Sequence, residues 1–139
     1  MTAKPPQDNM LARMACQTTL AALLERTPAI LFASLARVDG HSFAHANSEQ
    51  RAADPQRCAA IMSSLMGLIE SFGREALNSG TLYTSISTEH GSIVMVRIPS
   101  ERRQHTLCVC ADATENLAMT IRAARDTAQT LAQNIDAGP

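Results

Sequence analysis

The spacing of apolar positions changes repeatedly along the chain, and each change marks an element. Cys16, Leu20, Leu23 and Leu24 recur at helical intervals, with Leu11 and Met14 joining them earlier, which predicts a helix from Asn9 to about Arg26. Asp8 is placed to cap it, and Thr27-Pro28 ends it because the residue before proline disfavours helix. Ala29 to Val38 is apolar on both faces, as a strand covered on two sides should be. Asp39-Gly40 signals a two-residue hairpin turn, and the return strand His41–His45 is short and polar enough for a sheet edge. Residues 46–53 read as a polar connection.

The next stretch is the most unusual. Asp54 can cap a helix with Pro55 at its first position, and the pattern continues to Asn78. No charged residue stands between Arg57 and Glu70. One stripe carries Ile61, Leu65, Leu68 and Phe72, a second carries Cys58, Met62, Met66 and Ile69, and a third line is small: Ala60, Ser64, Gly67 and Ser71. A surface helix needs one apolar stripe. The expectation is that the first stripe packs on the chain's own sheet and the second meets another copy of the chain. Exposing the second would forgo roughly 1.5–3 kcal/mol for each large side chain. Met66→Glu is accordingly expected to release monomer or aggregate.

Asn78-Ser79-Gly80 ends that helix with residues that tolerate the left-handed conformation. Three strands follow. Thr81–Thr88 is rich in Ser and Thr, Ser92–Ile98 is two-faced, and His105–Ala111 is two-faced again after a charged loop over Pro99–Gln104. Asp112-Ala-Thr-Glu115 has the spacing of a capping box, so the last helix is predicted from Ala113 or Thr114 to Ile135, buried through Leu117, Ile121, Ala124, Ala128, Leu131 and Ile135. The order is helix–strand–strand–helix–strand–strand–strand–helix. Two-faced strands belong inside an antiparallel five-stranded sheet and the polar ones at its edges. The central helix then covers one face and the terminal helices the other. Thr81–Thr88 lacks the proline or lysine that guards an open edge, so Tyr83 and Ser85 join Cys58, Met62, Met66 and Ile69 as the expected self-contact.

Composition narrows the function. At 139 residues the chain is one domain, here 9–136 between a flexible segment 1–8 and a tail 137–139. A net charge of −1 offers nothing to nucleic acid, no run is long enough to span a membrane, and no signal-peptide core precedes the first helix, so the cytoplasm is expected. The four cysteines, 16, 58, 108 and 110, sit in apolar contexts as small hydrophobes. Cys108 and Cys110 share a strand face and invite a metal reading, but zinc sites need further ligands and no second pair follows. No metal or cofactor is expected. No phosphate-cradling loop, nucleophile elbow or His-Glu-x-x-His stands in the chain, and no acid, base and nucleophile set can be named, so no enzyme is expected. His41, His45, His90 and His105 read as edge and loop residues, and Asp39 and Asp54 as turn and cap. Arg102 and Arg103 are the candidate contact for an acidic partner.

Four segments carry a resemblance: Leu20-Ala-Ala-Leu-Leu-Glu-Arg-Thr-Pro28, Leu35-Ala-Arg-Val-Asp-Gly40, Gly91-Ser-Ile-Val-Met-Val-Arg-Ile-Pro99, and Asp112-Ala-Thr-Glu-Asn-Leu-Ala-Met-Thr-Ile-Arg-Ala-Ala-Arg125. In pattern and order the chain resembles the Roadblock/LC7 family, the dynein light chain and MglB-like group. The resemblance implies a profilin-like three-layer α/β (α+β) fold and a homodimer built through the central helix and third strand. It also implies a non-catalytic module that scaffolds or regulates a small Ras-like GTPase or related NTPase. The alternative is a profilin- or PAS-like small-molecule sensor whose pocket is lined by Met62, Met66, Met95 and Met119.

Overall fold

The computed structural model describes residues 6–49 and 53–137, with only the backbone described over residues 6–9. The elements are α1 (Pro6–Arg26), β1 (Ile30–Arg37), β2 (Ser42–Asn47), α2 (Pro55–Leu77), β3 (Thr84–Thr88), β4 (Gly91–Arg97), β5 (His105–Asp112) and α3 (Leu117–Asp136). All strand pairs are antiparallel, in the order β2-β1-β5-β4-β3, so the two-faced strands are interior and the polar ones form the edges.

Several boundaries differ from expectation for local reasons. The first helix begins at Pro6, a favoured first position, so Asp8 lies within it and residues 6–8 are helical. Residues 1–5 of the expected flexible segment and 138–139 of the expected tail lie outside the described residues. Leu11 and Met14 are exposed rather than buried. Only Gly40 of the Asp39-Gly40 pair takes a positive φ. The Gly40 N–H donates to the Arg37 carbonyl at 2.9 Å, which makes a wider three-residue loop rather than the two-residue primed turn. The last helix starts at Leu117 because Asp112 stays in β5. Its carboxylate accepts the Thr114 N–H at 2.9 Å in a side-chain turn, and Asn116 becomes the cap by accepting the Met119 N–H at 2.8 Å. By contrast, α2 starts as its sequence demands. Asp54 accepts from the N–H groups of Gln56 and Arg57, and Asn78 closes the helix in the left-handed conformation.

Gly91 is required where β4 leaves its turn. A Cβ there would meet the Ala111 carbonyl oxygen of β5 at 2.0 Å. Two cores result, one on each side of the sheet. The larger joins Cys16, Leu20 and Leu23 of α1 and Ala124, Ala128 and Leu131 of α3 to the inward side chains of β1, β4 and β5. The smaller joins Ala59, Met62 and Met66 of α2 to Ala36, Met95 and Cys108.

Candidate interaction face

The α2 side of the sheet is where the sequence reading and the structure part. Met62 and Met66 are only 4% and 2% exposed and pack onto the chain's own sheet, while Ile61, Leu68 and Phe72 stand 58%, 69% and 73% exposed. Met62 and Met66 face the chain's own sheet with Leu65 half-buried beside them, so these two methionines are not available as contacts to another copy. The reason is anchoring. Ser63 Oγ donates to the Val38 carbonyl at 2.6 Å, Gln56 accepts the Ser42 N–H and donates to the Gly40 carbonyl, and Glu70 pairs with Arg97 of β4. These polar tethers set the rotation of α2, and a helical wheel does not contain them.

The remaining expected contacts are spread out. Cys58 and Ile69 are half-buried on the flanks of α2. Tyr83 and Ser85 lie at the β3 end of the sheet, and the Arg125 guanidinium of α3 stands 5.8 Å from the Tyr83 ring, so this tyrosine belongs to the opposite side from α2. The small-residue line Ala60, Ser64, Gly67 and Ser71 is fully on the exposed side, between and beside the exposed large residues. Leu77 and Leu82, on either side of the link from α2 to β3, are exposed as well. Arg102 and Arg103 are exposed on a loop fastened to the last turn of α3, where Asp136 accepts the Glu101 N–H. They do not join the α2 face.

Beside α2 the sheet is incompletely covered. The helix packs over β1, β2 and β5, and β3, β4 and part of β5 form the floor of a groove of about 380 Å³. Ile86, Ile93, Met95, Cys108 and Cys110 line its floor, and Cys58, Ile61, Met62 and Leu65 line its wall. Of the four methionines expected to line a sensor pocket, Met62 and Met95 do so; Met66 is sealed beneath the helix and Met119 is exposed on α3. Burial pushes the Cys58 thiol above its ordinary range.

The two sheet edges also differ. On β2, the Gln17 amide of α1 accepts the His45 N–H at 3.1 Å and donates to the His45 carbonyl, occupying the outward backbone groups of that residue. Among the described residues nothing engages the outer edge of β3 in this way. The sequence alone had no signal for Gln17, whose partner lies 28 residues away. Among the described residues no helix is long and apolar enough to cross a membrane.

The sequence matches no family model and no curated protein. Solved structures do match. Myxococcus xanthus MglB superposes with a TM-score of 0.80 at 10% identity, over 100% of this chain and 97% of that one. An MglB with tetrameric arrangement gives 0.79 at 16% identity over 92% and 93% of the two chains. A Roadblock/LC7 domain from Streptomyces avermitilis gives 0.71 at 18% identity over 83% and 92%. The chain therefore has the Roadblock/LC7 fold, the profilin-like α+β arrangement that the family resemblance implied.

Proposed function

We propose that this chain is a non-catalytic, homodimeric interaction module of the cytoplasm that regulates or scaffolds a small Ras-like GTPase or related NTPase. The observation that carries the reading is the α2 face. Ile61, Leu68 and Phe72 are exposed along a helix whose neighbouring line is small, and among the described residues the outer edge of β3 is unguarded. Covering three such side chains is worth roughly 1.5–3 kcal/mol each. The Gly67 position offers open space for a close backbone approach. A second copy supplies a matching surface with no further partner needed, and antiparallel pairing at β3 would extend the sheet across both copies. The fold shared with MglB structures supports the GTPase side of the reading.

Dimerisation is tested by size-exclusion chromatography with light scattering at micromolar concentration. A dimer is expected, and a stable monomer overturns that half of the reading. The partner is tested by capture of a Ras-like GTPase encoded beside this chain, loaded with GTP or GDP. Capture that ignores the nucleotide overturns regulation. Purified protein alone should not hydrolyse GTP; turnover would overturn the non-catalytic role.

A further inference from the structure

The groove beside α2 is rich in sulfur. Cys108 and Cys110 of β5 and Met95 of β4 line its floor, and Cys58 and Met62 line its wall. The two floor thiols are 3.9 Å apart, Sγ to Sγ. Their hydrogen bond and burial together push the Cys108 thiol well above its ordinary range.

That spacing has a definite chemical reading. Residues two apart on a strand have Cα atoms about 6.7 Å apart, near the far limit for a disulfide. Pairing on both sides with β1 and β4 keeps β5 from contracting. A bond between Cys108 and Cys110 is therefore disfavoured. A shared ion is not: two metal–thiolate bonds of about 2.3 Å, opened to roughly 115°, span such a gap. The third donor follows from register. Met95 is the direct cross-strand partner of Cys108 and lies on the same face, which puts the two Cβ atoms about 4.5–5.5 Å apart.

Among the described residues no cluster of three or more His, Cys, Asp or Glu is set to hold a metal ion, which leaves no four-donor zinc site. Two thiolates and a thioether are instead a soft set suited to monovalent copper. We propose that Cys108, Cys110 and Met95 form a Cu(I) site on the floor of the groove. Binding forms two copper–thiolate bonds and one copper–thioether contact, releases the two thiol protons to solvent and transfers no electron. The complex carries one net negative charge, which the solvent at the open mouth of the groove helps to offset.

The test is an anaerobic titration of the full chain with Cu(I) against bicinchoninate as competing chelator. One ion per chain is expected. Binding is lost in Cys108→Ala and in Cys110→Ala, weakened at least tenfold in Met95→Leu and unchanged in Cys16→Ala, whose thiol lies in the other core. An ion retained by Cys110→Ala, or one ion shared between two chains, overturns the site. So does a wild-type chain that takes no copper from the chelator. A second measurement needs no variant: bound Cu(I) should slow alkylation of Cys110 at least tenfold, and equal rates with and without copper overturn the proposal. These readouts use the isolated chain, so they stand or fall separately from GTPase binding.

Discussion

Under α1 and α3 the sheet presents Ala33, Leu35, Val94, Val96, Leu107 and Val109, all buried among the side chains of two helices. Under α2 the same interior strands present Ala36, Ile93, Met95, Cys108 and Cys110, of which Ile93 and Cys110 are only partly covered. The difference is one of width. Five strands at about 4.8 Å spacing span roughly 19 Å between the outer two, whereas one helix with its side chains is about 10–12 Å across. Two helices close a face and one does not. The uncovered half of the second face, together with the outward side of α2, is where this chain has surface to offer.

The largest effect is expected from a charge on the inward side of α2. Met66→Glu should unfold the chain, with a loss on the order of 4 kcal/mol or more, because the carboxylate would be unpaired beneath the helix. Urea denaturation checks it; a folded monomer would restore the sequence-based assignment of the second stripe. On the closed face, Leu131→Ala should cost about 2–5 kcal/mol in the same assay. A cost below that range would mean the face closed by two helices is as loosely packed as the other.

His105 offers a pH-dependent test at the closed end of the sheet. It is 8% exposed, its ring stands edge-on to Phe43 at 4.8 Å, and neither ring nitrogen has a hydrogen-bond partner. Burial, and then the positive charge of Arg37, lower its pKa from 6.5 to about 4, with Asp39 opposing. The unfolded chain therefore binds the proton more readily. Stability is complete above about pH 6.5 and is lost as pH falls toward 4, by roughly 3 kcal/mol in all. Urea midpoints across that range should fall more steeply in the wild type than in His105→Leu. Parallel curves would show that this histidine charges without penalty.

The smallest expected change in stability is on the open face. Phe72→Glu should shift the stability of the single chain by no more than about 0.5 kcal/mol, because the side chain is already in water. Light scattering should nevertheless show the dimer lost. A persistent dimer would move the self-contact elsewhere.

Much of this was legible in residue order. Asp54-Pro55 and Asn78 bound α2 as their chemistry requires, and the alternation in Ser92–Ile98 and His105–Ala111 marked interior strands. The candidate face was legible only as an excess of apolar stripes. Cys58, Met62, Met66 and Ile69 looked equivalent to Ile61, Leu65, Leu68 and Phe72 because a helical wheel has no external reference direction. That reference came from Ser63, Gln56 and Glu70, which bond to groups 14 to 27 residues away. The guarded edge at His45 was hidden for the same reason, and so was Met95 opposite Cys108.

Local preference and periodicity are properties of neighbouring residues, so the chain's own order determined the eight elements, the interior and edge strands and the surplus of grease on the central helix. Rotation of that helix, the width left uncovered beside it and the sulfur atoms gathered in the gap depend on contacts between distant segments. Only the packed molecule decided those.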